Sequence, residues 1–218
     1  MRPLRVRGFA LLIFGGGLSA LLAVACSADD PAPQLTLGGP HEYTGAYLLP
    51  PLPRPTFTLT DTNGKPFDFA KATDKRVTLL FFGYTNCPDV CPTTMADIAA
   101  GLSRVSTRDA VKVVFVTTDP RRDTPPVLRS WLDTFDPSFI GLTGSQADIN
   151  RLMESLRLPD PVETEVTADG YTVVHISDVL LFTQDNVAHL VYPGGAKAAD
   201  WAADLEKLLK QGFKKPQP

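Results

Sequence analysis

The sequence predicts an α/β fold: a central mixed sheet flanked by helices on both faces, parallel in its first part, antiparallel at its end, and preceded by a β-hairpin. Three observations carry that prediction. Val77-Thr78-Leu79-Leu80-Phe81-Phe82 and Val111-Lys112-Val113-Val114-Phe115-Val116-Thr117 are runs rich in β-branched and aromatic residues without clean alternation, as strands buried on both faces require. Each is followed by apolar residues at helical spacing, the β-α order that builds a parallel sheet. Near both ends the pattern changes to pairs of short runs separated by turn residues, which marks antiparallel hairpins.

Taken in order, the first 25 residues contain Arg2, Arg5 and Arg7, no acid, and an uncharged stretch from Phe9 to Ala25. A basic start followed by an apolar run of this kind is an export signal, not part of the fold. Ala23-Val24-Ala25-Cys26 is read as a lipoprotein cleavage box with Cys26 lipidated. The alternative is an ordinary A-x-A site that leaves a free thiol, a liability in an oxidising compartment. Ala23 stands where such boxes usually carry Leu. Residues 26–55, dense in Pro, Gly and small polar residues, read as a tether that stiffens at Leu48-Leu49-Pro50-Pro51-Leu52-Pro53-Arg54-Pro55.

The folded domain is expected over 56–211. Thr56-Phe57-Thr58-Leu59-Thr60 and Pro66-Phe67-Asp68-Phe69 flank Asn63-Gly64, a hairpin signal. After the strand at 77–82, Met95, Ile98, Ala99 and Leu102 recur at i, i+3, i+4 and i+7 and predict a helix over 93–105. The strand at 111–117 closes in the turn Asp119-Pro120-Arg121-Arg122-Asp123-Thr124, and Pro125-Pro126 opens a helix with Leu128, Trp131, Leu132 and Phe135 on one face. Phe139–Leu142 is a short third strand, and Ser145 with Asp148 three residues on caps a helix carrying Ile149, Leu152, Met153 and Leu156. Residues 157–170 read as irregular, ending in the turn Ala168-Asp169-Gly170 before Tyr171–Ile176. Val179–Phe182 and Val187–Tyr192 then pair across Gln184-Asp185-Asn186. Trp201, Leu205, Leu208 and Leu209 mark the last helix, and 212–218 is a fraying tail.

The chain has 218 residues, 44% of them hydrophobic, enough to bury a real core. Its net charge is −3, and beyond the signal segment 18 basic residues face 24 acidic ones. Such a balance, without a basic stripe, excludes nucleic acid as a partner.

Chemistry concentrates in Cys87-Pro88-Asp89-Val90-Cys91-Pro92, which holds two of three cysteines at a strand-loop-helix junction. Helix N-termini favour thiolate over thiol. The spacing of four permits either a disulfide or a shared metal ion, and the two are left open by spacing alone. A disulfide across three residues would stabilise little by loop entropy. Zinc would want four ligands. Two thiolates and an imidazole suit a soft, low-coordinate ion, and monovalent copper is the natural candidate. His41 lies in the tether and His189 reads as a solvent-face strand residue. His175 lies where the loop before the second hairpin can reach the first strand's carboxyl end, as a ligand or as a hydrogen-bonded structural histidine. Met95, one turn after Cys91, is a thioether that could ligate, but its spacing with Ile98 and Leu102 makes it core. Asp119, after a buried strand on the cysteines' end of the sheet, either caps the next turn or serves as a supporting or docking carboxylate.

The stretch Phe82-Gly83-Tyr84-Thr85-Asn86-Cys87-Pro88-Asp89-Val90-Cys91-Pro92-Thr93-Thr94 resembles the signature of the SCO/SenC copper chaperones. Phe57–Asp61 with Gly64, Asp119-Pro120-x-Arg122-Asp123-Thr124, and Tyr171-x-x-x-His175 resemble the family's other landmarks, and the likeness covers about residues 47–211. It implies a thioredoxin-like fold, Cys87, Cys91 and His175 as copper ligands, and copper as the monovalent and also the divalent ion. It further implies delivery to the copper A subunit of cytochrome c oxidase and exchange with other copper carriers, while the signal segment with its Cys26 lipid would place the domain on the outer face of the cytoplasmic membrane. Family members commonly carry Asp directly before the histidine, where this chain has Val174. The competing reading is a thiol-disulfide reductase using Cys87 and Cys91. Reductases of this fold normally have C-x-x-C facing a cis-proline, whereas the facing position here is His175-Ile176. A peroxidase of the peroxiredoxin kind would need Thr where Tyr84 stands, and a disulfide-stapled binding domain would make His175 dispensable.

Overall fold

A computed structural model describes residues 34–36, 42–164 and 170–215. The elements run β1 (Gln34–Thr36), β2 (Ala46–Pro53), β3 (Thr58–Asp61), β4 (Pro66–Asp68), α1 (Phe69–Ala72), β5 (Val77–Gly83), α2 (Val90–Leu102), β6 (Val111–Thr117), α3 (Pro125–Asp133), β7 (Ile140–Thr143), α4 (Gln146–Ser155), β8 (Val162–Glu163), β9 (Val173–Val174), β10 (Val179–Phe182), β11 (Val187–Tyr192) and α5 (Ala198–Gln211). Nine strands form one sheet in the order β1-β2-β11-β10-β5-β6-β7-β3-β4, while β8 and β9 pair apart from it. β5, β6 and β7 are parallel and the remaining ladders antiparallel. The mixed sheet is therefore the one expected, with the parallel block at its centre.

The buried strand β5 divides the core in two. Leu79 and Phe81 face one layer with Met95 and Ile98 of α2, Leu128 and Leu132 of α3, and Trp201 and Leu205 of α5. Leu80 and Phe82 face the other, with Phe69 of α1 and Ile149, Leu152 and Met153 of α4. All seven β5 residues are buried, which is why its side chains show no polar alternation. Burying each large side chain contributes roughly 1.5–3 kcal/mol, so this strand anchors the domain. Local signals hold as well: Ser145 Oγ accepts from Asp148 N at 3.1 Å, and Gly64 takes φ +74° in the β3–β4 turn.

The structure corrects the tether. Residues 46–53 were expected in it but form β2, paired with β11, and Tyr43 is fully buried. Proline density argues against a strand. Here the strand shifts register opposite Ala188 and Leu190, and Leu49, Pro50 and Pro51 are exposed at that irregularity while Tyr47, Leu48 and Leu52 pack inward. Arg54 fastens the end of β2. Its guanidinium donates to Asn186 Oδ1, Thr73 Oγ1 and Thr78 Oγ1 at 2.9, 2.7 and 3.0 Å, and burial lowers its pKa to about 10.

Three smaller differences follow. Phe213, placed in the fraying tail, stacks on Tyr43 and on His189. His189, expected at the solvent face, is 7% exposed, lies at the register shift and bonds Asp185 through Nε2 at 2.8 Å. β8 lies within the segment read as irregular. The signal segment, Cys26, His41, the 168–169 part of the expected turn and the last three residues lie outside the described residues. No helix among the described residues is long and apolar enough to cross a membrane.

Candidate metal centre

α2 begins at Val90, three residues before the periodicity suggested, so Cys91 lies inside its first turn and Cys87 in the loop just before it. Asp89 precedes the helix but makes no side-chain cap. The Cys87 sulfur takes that place instead, accepting from Cys91 N at 3.5 Å. Both cysteines are unbridged thiols, Cys91 fully buried and Cys87 nearly so.

His175 follows β9 and meets the cysteines from the opposite side, its Nε2 3.3 Å from Cys91 Sγ. Its Nδ1 is 2.7 Å from the Ile176 carbonyl, which can only accept. Nδ1 therefore carries the hydrogen, and the Nε2 lone pair is directed to sulfur. The ring stands perpendicular to Tyr84, centroids 5.5 Å apart, and edge-on to Phe81 at 6.4 Å. One donor atom from each of Cys87, Cys91 and His175 lies within 4.8 Å of the others, the only such cluster of His, Cys, Asp and Glu among the described residues.

The pair is electrostatically split. A hydrogen bond from the Cys91 thiol, together with the backbone N–H groups of Asp89 and Cys91, outweighs burial and lowers Cys87 to about 3. Cys91, which supplies that hydrogen bond and is buried deeply, is shifted in the opposite direction. At neutral pH the site thus holds a thiolate at Cys87 and a thiol at Cys91. Gly83 makes room for this arrangement, since a Cβ there would sit 2.7 Å from Cys91 Sγ.

Asp119 is buried but not in the three-atom cluster. Its carboxylate accepts from Tyr171 OH at 2.8 Å, from Arg122 Nε, and from Arg122 N at 3.4 Å, so it caps its own turn while reaching toward the His175 segment. Met95 is fully buried in core, as its spacing predicts. Val174 is 59% exposed and pairs only with Val162.

Reading the sequence missed Asp123. Fully buried, it accepts from Thr85 N and Thr85 Oγ1 at 3.0 and 2.6 Å and from Thr117 Oγ1 at 2.6 Å, and so ties the start of the cysteine loop to the end of β6. Burial raises its pKa despite these donors. Tyr84 was missed too, although it precedes the cysteines by three residues: its hydroxyl accepts from Val173 N at 3.2 Å. The turn motif around Asp119 held the signal for Asp123, but nothing local held the one for Tyr84.

Residues 49–210 match the family model described as SCO1/SenC. The chain is 31% identical over 230 aligned positions to Protein SCO2, mitochondrial, of Saccharomyces cerevisiae, covering 96% of this chain and 70% of that protein. Among solved structures, copper-bound ScoI of Bradyrhizobium japonicum is similar with TM-score 0.64 and 34% identity, covering 72% of this chain and 98% of that one. The apo Sco1 protein of Thermus thermophilus is similar with TM-score 0.67 and 32% identity, covering 78% and 99%. The fold is thioredoxin-like, as these neighbours are.

Proposed function

The chain belongs to the SCO1/SenC family, and from that premise we propose that it is a copper metallochaperone: it binds copper through Cys87, Cys91 and His175 and delivers it to the copper A centre of cytochrome c oxidase during assembly. The observation that carries this reading is the convergence of two sulfurs and an imidazole nitrogen within 4.8 Å. Two thiolates and a neutral imidazole form a soft, three-donor set matched to monovalent copper. Cys87 is already ionised, so loading releases one proton from Cys91 and leaves His175 in the tautomer that Ile176 fixes. Delivery is a ligand exchange, in which an acceptor thiolate or imidazole approaches Cys87 and replaces the three donors in turn. Asp119 would support the site or a docked partner. An acyl group on Cys26 would hold the domain on the outer face of the cytoplasmic membrane, where that acceptor lies.

The test is copper stoichiometry on the reduced protein under anaerobic conditions, beside Cys87→Ser, Cys91→Ser and His175→Ala. The expected result is one copper per chain, lost in either cysteine variant and weakened or spectrally altered in His175→Ala. Wild-type binding by His175→Ala would remove that residue from the site.

The split thiol pair favours a second reading, a thiol-disulfide reductase. The Cys87 thiolate would attack an acceptor disulfide, releasing one acceptor thiolate. Cys91 would then attack Cys87 in the mixed disulfide, releasing the second and leaving Cys87–Cys91 oxidised. Disulfide reduction without copper binding would select it.

A further inference from the structure

His175 stands on a segment with little structure of its own. β9 is two residues long, its only ladder partners among the described residues are Val162 and Glu163, and both of those are exposed. A ribbon of that size does not hold itself. Something in the body of the domain must therefore fix the segment if an imidazole at its end is to stay 3.3 Å from Cys91 Sγ.

We propose that Arg122 is the residue that positions His175, clamping the Tyr171–His175 segment onto the turn after β6. The guanidinium joins three parts at once. Its Nη1 donates to the Tyr171 carbonyl at 2.8 Å, and its Nε donates to the buried Asp119 carboxylate. Its plane lies over the Tyr171 ring at 3.7 Å and reaches the Tyr84 ring at 5.6 Å. Asp119 closes the circuit by accepting from Tyr171 OH at 2.8 Å. Tyr84 closes a second one, since its hydroxyl holds Val173 N and its ring stands perpendicular to the His175 imidazole. Two residues after Val173 comes the ligand.

The remaining guanidinium nitrogen, Nη2, is buried without a hydrogen-bond partner among the described residues. A buried unsatisfied donor is costly and needs a reason. The aromatic faces supply one: a guanidinium stacks on tyrosine rings and donates in a fork, which an ammonium cannot do. Arg121 also reaches Tyr171, with its Nε 3.0 Å from the hydroxyl, but from an exposed position where solvent competes. Arg122, with its side chain 23% exposed against 64% for Arg121, is the better shielded half of the clamp. Holding a donor's orientation through such outer contacts is typically worth about 10–100-fold in metal affinity.

The proposal rests on His175 as a copper ligand, and its test separates the two. Monovalent copper affinity is measured on the full chain by competition with a chromophoric chelator for wild type, Arg122→Met, His175→Ala and the double variant. Arg122→Met is expected to lose about 10-fold in the wild-type background and nothing further in the His175→Ala background. Equal losses in both backgrounds, or none in either, would overturn the clamp. Amide exchange of the metal-free proteins gives a readout independent of copper: residues 171–176 should exchange about 10-fold faster in Arg122→Met while α5 stays unchanged. Unchanged exchange in that segment refutes the proposal. If His175→Ala binds copper like wild type, the three-donor reading fails and the exchange result alone decides whether Arg122 holds the segment. Arg122→Lys keeps the charge and stem and serves where Arg122→Met does not fold; without the fork it should still lose affinity and protection.

Discussion

At the scale of single residues, the site is built by unequal treatment of two identical side chains. Cys87 sits at a helix start with donors directed at it, Cys91 is buried beneath it, and one proton serves both. The linkage has a definite sign. The unfolded thiols titrate near their ordinary value of 9.0, whereas folding lowers Cys87 to about 3, so between these values the folded chain binds fewer protons and gains stability as pH rises. Above 9.0 the sign reverses, because Cys91 keeps its proton in the folded state when the unfolded chain has lost both. The stability advantage of reduced wild type over a Cys87→Ser, Cys91→Ser double variant should therefore be larger at pH 8 than at pH 5 in urea unfolding. An advantage that shrinks toward pH 8 would mean that Cys87 is not the thiolate. Gly83 offers a second test. Gly83→Ala places a methyl 2.7 Å from Cys91 Sγ and 3.0 Å from Phe115, and neither neighbour is free to retreat. Copper affinity should fall by about 10-fold, comparable to loss of a supporting contact, in a chain that still folds.

At the scale of elements, what local pattern could reveal and what it could not divide cleanly. β5, α2, β6, α3, β7 and α4 follow from apolar runs and helical spacing because each buries a face whose period is set within its own residues. β2 did not, because Pro50, Pro51 and Pro53 disguise a strand whose pairing partner lies at 187–191. The metal site shows the same divide: Cys87 and Cys91 announce themselves by spacing, but His175 approaches from 84 residues away, and geometry alone left it undecided without the family resemblance. Arg122 and Tyr171, 49 residues apart, carried no local signal of their contact. The β2 correction is testable by truncation. A chain starting at residue 42 keeps β2 and should unfold at a urea concentration close to that of the longer protein. A chain starting at residue 56 loses the burial of Tyr47, Leu48 and Leu52, at roughly 1.5–3 kcal/mol each, together with the Arg54 clamp. That approaches the whole stability of an ordinary domain, so it should not fold. A cooperative, wild-type-like transition in the shorter chain would return 46–53 to the tether.

At the scale of the molecule, the site ties the β9 segment, which pairs with β8 apart from the main sheet, to the cysteine loop at the end of β5. Cys87 and Cys91 belong to the β5–α2 junction in the parallel block, whereas His175 comes from the segment that leads into the antiparallel hairpin. A metal ion bound to all three would cross-link the β9–β10 segment to the domain centre. Because the unfolded chain presents these donors far apart, copper should bind the folded state preferentially and raise its stability by about 2.7 kcal/mol when free copper is 100 times its dissociation constant. The increment should be unequal across variants. Cys91→Ser should abolish it, because the deeply buried sulfur that bonds the Cys87 side chain and lies 3.3 Å from His175 Nε2 is lost. His175→Ala should retain part of it while losing the added protection of residues 171–176 against amide exchange. Thermal or urea unfolding with and without monovalent copper, under anaerobic reduction, reads the first effect, and exchange on the same samples reads the second. Copper that stabilises His175→Ala and protects its 171–176 segment as fully as in wild type would show that the ion is held by the cysteine loop alone, and that the two halves of the site are joined by packing and not by metal.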